Sequence, residues 1–317
     1  VSDNPQYLRK YRVLVSDRRG TALDVSDLRC VFCIEKKALQ AVNYADISVF
    51  NLTNPTETAI IKEGHRVVVE AGYDKGSYGK VFDGEVFQPL WDRENVVDYR
   101  LILHCIDGDS LLHQNFANFS LASGYDYKAV ITQMAAQART KIPVGVISGG
   151  LSKKKAPRGK VVFGDPRDTF RNIARDNNAQ FYVNDGQLNV MKITDVPRGQ
   201  ALVISPQTGL IGTPQQVDYG FSFRCLLNPN IRIMNPPMMI KLENTLIRQQ
   251  KAIQGQIVSM LDQDMYGLVI GLKHLGDTRG REWYTDVVCV TSGGKVPLPL
   301  AGINIPGMLP EPGGNPN

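Results

Sequence analysis

Apolar residues recur at every second position along much of this chain, and a period of two predicts strands. Ala45 to Tyr73 shows the pattern most clearly. Ile47, Val49 and Asn51 fall on one face, and Ser48, Phe50 and Leu52 on the other. Thr53 or Asn54 then caps a short helix, with Pro55 at its first position and Glu57 in its first turn. Ile60 and Ile61 are its apolar residues, Gly64 stops it, and Val67, Val68 and Val69 open a second strand. Tyr11 to Ser16, Leu28 to Ile34, Val81 to Phe87 and Tyr99 to Ile106 supply four more strands. Arg19-Gly20, Asp74 to Gly79, Asp92 to Asn95 and Asp107-Gly108 separate them as turns. Strands at this spacing predict a barrel or a closed sandwich.

The period changes after residue 110. Asp126 caps a helix in which Val130, Ile131, Met134, Ala135 and Ala138 share a face. Ile142 to Lys160 reads as a loop rich in Gly, Pro and Lys. Asp165-Pro166 starts a second helix, with Phe170, Ile173 and Ala174 on one face and Asn177-Asn178 at its end. Phe181 to Met191 is a hairpin that turns at Asp185-Gly186. Strands return at Phe221 to Leu227, Met239 to Glu243, Gly267 to Leu275 and Asp286 to Thr291. Ile247 to Asp264 fits either a loop-borne helix or an extended excursion. The tail, Gly293 to Asn317, carries Pro297, Pro299, Pro306, Pro310, Pro312 and Pro316. It is expected to be extended, with its last residues disordered unless a partner holds them. The fold class is therefore mainly β with an α+β insert. The expected division is a β domain over 1–110, the insert over 111–195, a second β domain over 196–292 and the tail over 293–317. The two β modules are candidates for a distant duplication.

Composition adds bounds to this picture. The 317 residues are 43% hydrophobic and 21% charged, which is ordinary for a globular chain of two or three domains. A net charge of +5 does not demand a nucleic-acid partner. No run of about 18 apolar residues occurs, so stable membrane insertion is not expected. Val1 to Pro5 has no basic-then-apolar signal, which points to assembly in a cytoplasm. Five cysteines, an odd number, fit reduced thiols rather than a disulfide framework.

Candidate chemistry is sparse. Cys30 and Cys33 form a CxxC, but a zinc site wants a second pair and redox chemistry wants a helix N-terminus. On a strand the two thiols point to opposite faces. Cys105, Cys225 and Cys289 stand alone in apolar strands and read as structural. Among His65, His104, His113 and His274 no pair has the spacing of a helical metal site. His104 alternates with Leu103 and Cys105, as a barrel residue does. Gly149 to Lys160 fails the phosphate-loop pattern, because Lys154 and Val161 stand where that pattern needs Gly and then Ser or Thr. No nucleophile elbow and no zinc-protease motif is present. No catalytic residue, cofactor or metal is therefore expected. What remains is charge. Residues 139–175 hold ten Lys and Arg against two Asp, so the rest of the chain is slightly acidic. Lys153, Lys154, Lys155, Arg158 and Lys160 form the candidate contact patch. It reads either as a solvated loop or as a surface for DNA phosphates or an acidic neighbour.

Three runs carry a family resemblance. Ala45 to Tyr73, then Phe82 to Val86 and Leu103 to Gly108, resemble the N-terminal β domain of baseplate hub proteins of contractile-tailed bacteriophages. Ile204 to Pro214 followed by Gly220 to Ile231 is similar to the second β domain of the same hubs. Asp165 to Ala174 with its hairpin fits their middle domain, and the resemblance covers about residues 5 to 292. It implies two domains like the tail-tube protein, and a homotrimer that presents pseudo-sixfold symmetry to the tube and threefold symmetry to the central spike. It implies a virion protein of the tail baseplate. Its implied partners are the tail tube protein, the spike protein and neighbouring baseplate proteins, with transient non-specific DNA contact in the channel. The alternatives are a tail-associated peptidoglycan hydrolase and a spike-complex subunit of a contractile secretion system.

Overall fold

The computed structural model describes residues 6–16, 22–37, 42–60, 66–108, 115–137, 143–149, 151, 155–192, 201–217, 220–233, 238–247 and 265–291. The first β module comprises β1 (Arg9–Ser16), β2 (Ala22–Asp24), β3 (Cys30–Lys37), β4 (Tyr44–Phe50), helix α1 (Asn54–Ile60), β5 (Arg66–Tyr73), β6 (Tyr78–Arg93) and β7 (Tyr99–Ile106). The insert holds β8 (Ala117–Leu121), α2 (Tyr127–Gln137), β9 (Val144–Ile147), β10 (Lys160–Gly164), α3 (Pro166–Asn177), β11 (Ala179–Asn184) and β12 (Gln187–Lys192). The last module comprises β13 (Leu202–Ile204), a 3-10 turn at Pro206–Thr208, β14 (Leu210–Val217), β15 (Gly220–Leu226), β16 (Met239–Leu242), β17 (Tyr266–Asp277) and β18 (Trp283–Thr291).

Alternation explains the first module. One face of β3 buries Cys30, Phe32 and Ile34, β4 buries Ala45, Ile47 and Val49, and β7 buries Leu101, Leu103 and Cys105. These residues share one apolar core, and Ile60 of α1 belongs to it. The short helix therefore covers the sheet, as its single apolar face predicts.

A single sheet runs through both β modules, in the order β14-β15-β18-β17-β3-β4-β7-β6-β5-β1-β2, with β16 on β17 and β13 on β16. Strand β17 makes the join. Its first residues, Tyr266 to Leu268, pair with β16, and Gly271 to Asp277 pair with β3. Alternation places residues on faces but does not name neighbours, so this continuity was not visible in sequence. Side chains cross the join as well. Trp283 lies fully buried in the first module's core, edge-on to Phe32 at 5.5 Å and to Tyr11 at 6.2 Å. Burying a large apolar side chain contributes about 1.5–3 kcal/mol, so Trp283 fastens one module to the other.

The insert has its own core around Val130, Ile131, Met134, Phe170, Ile173 and Phe181. Helix α3 starts as its sequence predicts: Asp165 caps it by accepting from the Arg167 N–H at 2.8 Å, with Pro166 at the first position. Asn178 ends it in the left-handed region, at φ 50°. At the hairpin turn Asp185 and Gly186 both take positive φ, 52° and 75°, as a type I′ turn requires. The stretch expected as a loop contains β9, a strand parallel to β12. Strand β8 pairs antiparallel with β10. These strands span four or five residues, too short for a period to register.

Candidate functional site

The tip of the β11–β12 hairpin enters a polar socket in the first module. On β3 the buried face runs Cys30, Phe32, Ile34 and then Lys36, because the period of two continues past the apolar residues. The Lys36 ammonium donates to Asp185 Oδ1 at 2.5 Å. Asp107 lies just beyond β7, 1% exposed, and accepts from the Gly186 N–H at 3.0 Å. Asn43 Nδ2 donates to the Val183 carbonyl at 2.8 Å, and the Asn184 amide reaches the Ile233 carbonyl at 3.0 Å. Gly108 is obligatory here. Its φ is +82°, and a Cβ would stand 2.8 Å from Val183 Cγ2. Tyr182 of the same hairpin enters the last module's core. One turn of chain thus holds all three parts of the molecule.

The electrostatics of the socket follow from that packing. Burial pushes the Asp107 carboxyl up to about 7, helped by the nearby Asp185 charge and opposed by Lys36, the Gly186 N–H and Asn43. Asp83 faces the opposite outcome. Burial raises it too, but bonds from Arg66 at 2.6 and 2.7 Å and from Lys80 at 2.8 Å hold it below the usual carboxylate range. The arrangement is a fastening: Lys36, Asn43 and the Gly186 N–H each donate to an acceptor across the contact between hairpin and socket.

The β8–β10 ribbon is the converse. Val162 faces the insert core, while Val161 and Phe163 are 75% and 72% exposed. Phe116, ahead of β8, packs edge-on against Phe163 at 4.8 Å. Of the candidate charge patch, Lys155 and Arg158 are exposed and Lys160 is half-buried at the start of β10. Lys153 and Lys154 lie outside the described residues. Arg167 and Arg171 are matched locally by Asp165 and Asp168. Lys155, Arg158 and Lys160 have no ion-pair partner among the described residues. Among the described residues, Lys155, Arg158 and Lys160 therefore place unmatched positive charge beside the start of β10.

A second exposed surface is the arm formed by β6 and β7. Trp91 and Tyr99 are 54% and 51% exposed, and Val96 and Val97 at the tip are almost fully exposed. Asn95 orders the tip by accepting from the Val97 and Asp98 N–H groups at 2.8 Å each. Arg29 anchors the arm by bonding both Glu94 and Asp277 at 2.9 Å.

The remaining candidates are structural in their surroundings. All five cysteines are free thiols. Burial raises Cys30 to about 12 and pushes Cys105, Cys225 and Cys289 up as well. His274 is buried against Thr285 Oγ1 at 2.9 Å, and burial pulls it down to about 3. His104 bonds Asp46 across two strands. His65 and His113 lie outside the described residues. No group of three or more His, Cys, Asp or Glu is placed to hold a metal among the described residues. No helix of the described residues is long and apolar enough to cross a membrane.

Neither the socket nor the ribbon was singled out from sequence. Lys36 carried a signal, a charge on the buried parity of β3. Val161 and Phe163 carried one too, two apolar residues flanking Val162 beside a cationic run.

Comparison with known proteins places the chain. A family model described as Baseplate hub gp41 matches residues 12–243. No curated protein matches the sequence. The 43 kDa tail protein of prophage MuSo2 from Shewanella oneidensis aligns with a TM-score of 0.53 at 10% identity, over 89% of this chain and 99% of that one. A tail protein from Neisseria meningitidis MC58 gives 0.55 at 11% identity, over 90% and 98%. The E. coli c3393 protein, a component of the type VI secretion system, gives 0.55 at 10% identity, over 92% and 79%. At these identities the likeness is one of fold.

Proposed function

The chain belongs to the Baseplate hub gp41 family, and we propose that within the tail baseplate it forms a trimeric ring adapting a sixfold tube to a threefold spike. As a structural baseplate hub it works among tail and baseplate proteins. The trimer reading is supported by one observation above the rest: two β modules lie side by side in a single sheet, joined through β17. Three such chains present six modules in a ring, and a closed ring needs heterologous contacts between copies. In this reading residues 1–110 and 196–292 are the two tube-like units, and 111–195 is the part through which other baseplate proteins are met. DNA passes through the ring, and the chain carries no enzymatic activity of its own.

Native mass measurement tests this. The expected species is three times the 35.1 kDa chain. A strict monomer at high concentration, unchanged by tube and spike proteins, overturns the ring. Cell-wall digestion abolished by one carboxylate substitution would replace the structural reading with an enzymatic one.

A further inference from the structure

Strand β10 belongs to a two-stranded ribbon, and the ladder geometry shows which of its backbone groups are used. On β8, the Asn118 N–H donates to Gln137 Oε1 at 3.2 Å, and Gln137 Nε2 donates to the Asn118 carbonyl at 3.0 Å. Both main-chain groups of Asn118 therefore point away from β10. In an antiparallel ladder the residue opposite such a position also turns its N–H and C=O outward, and this repeats every second residue. Asn118 stands opposite Phe163, and Ser120 stands opposite Val161. Val161 and Phe163 thus present their N–H and C=O on the outer edge of β10. Val162 directs its own toward Phe119. Ala156 continues the inward parity: its N–H donates to the Tyr125 carbonyl and its C=O accepts from Gly124, both at 2.8 Å. The amide of Gln137 closes the edge of β8 as a third strand would. No described strand closes the edge of β10.

Exposed edges are normally blunted by proline, charge or brevity. Others in this chain follow that rule. Beyond Val86, β6 has Pro89, which has no N–H to offer; β14 has Pro214 and a broken register between Ile211 and Gln215; β2 is three residues long. The centre of β10 has no such guard. It adds two exposed apolar side chains on the same residues that hold the free backbone groups. Its own chain therefore offers poor partners, and the unpaired Lys155, Arg158 and Lys160 call for carboxylates.

We propose that the edge of β10 accepts an extended strand from another baseplate chain by β-augmentation. The incoming strand bonds Val161 and Phe163 through its backbone, lays alternate apolar side chains beside those of Val161 and Phe163, and places carboxylates against Lys155, Arg158 and Lys160. This rests on the baseplate reading above and adds the contact by which the insert docks.

Proline substitution tests it. Val161→Pro removes an N–H that the ribbon does not use, so the isolated chain is expected to melt within about 2 °C of wild type. Val162→Pro removes a ladder bond and is expected to destabilise the chain. In phage particles lacking the native chain, wild type is expected to restore baseplates. Val161→Pro is expected to keep the wild-type oligomeric mass but fail to restore them. Amide exchange gives a second readout on the unmodified chain. The Val161 and Phe163 amides are expected to slow by about 100-fold between the isolated chain and assembled baseplates, with Val162 slow in both. Normal baseplates with Val161→Pro, or unchanged exchange, overturn the proposal. Loss of the wild-type oligomer by a folded Val161→Pro also overturns it, by making the occupant a second copy. Failure of wild type to enter baseplates would sink the hub reading itself, which is a separable result.

Discussion

Two parts of the insert invert the usual arrangement in opposite ways. The socket that receives the tip of the β11–β12 hairpin is polar and buried, whereas the outer face of β10 is apolar and exposed. Both departures are costly in an isolated chain, since buried charge and exposed apolar surface each lose free energy in water. The socket offsets its cost internally, with Lys36, Asn43 and Asp107 supplying partners for residues 183–186. Among the described residues the outer edge of β10 has no strand partner. A hub must be rigid within itself and unfinished at its docking faces, and the two sites divide that work.

The sharpest way to break the contrast is to remove one charge from the socket. Lys36→Met leaves the Asp185 carboxylate without its buried partner, and urea unfolding is expected to show a loss of about 3–5 kcal/mol. Adding Asp185→Asn should recover much of that loss; if the single change costs nothing, the socket is not a fastening. The next largest effect concerns pH. Burial holds the Asp107 carboxyl up at about 7 in the folded chain against an ordinary value of 3.8, so the folded chain binds more protons between those values. Its contribution is complete below the lower value and is lost as pH rises through the upper one. Relative to Asp107→Asn, wild type is expected to lose roughly 3–4 kcal/mol between pH 4 and 8. Parallel pH profiles for the two proteins would refute the assignment. Gly108→Ala forces a side chain into Val183 at positive φ, and a loss of about 2 kcal/mol is expected in the same unfolding assay. The smallest effect sharpens the other half of the contrast. Phe163→Ser is expected to change the isolated chain's stability by less than about 0.5 kcal/mol, because the ring is mostly exposed. A large loss there would mean that the ribbon face is already packed.

The elements that could be read in sequence were those whose own residues fix them. Ile47, Val49 and Val67 to Val69 alternate or cluster as strands must, and Asp165-Pro166 and Asp185-Gly186 specify a cap and a turn by local chemistry alone. The rest depended on partners distant in sequence. Asp107-Gly108 looked like a turn, and its burial arises because a hairpin some 80 residues later closes over it. The five-residue β8 gave no period, and it exists because β10 pairs with it. Lys155, Arg158 and Lys160 were singled out for charge alone. Their significance depends on standing at the end of an unpaired edge, a relation between backbones that composition cannot carry.

Strand β17 has a mechanical consequence. Its first residues are laddered to β16 and the remainder to β3, with β18 running alongside. It works as a splice between two planks. Turning one module against the other requires several backbone hydrogen bonds of β17 to break together. A push delivered to either module is therefore passed to its neighbour as displacement of a single stiff body, which suits a structural part of a baseplate.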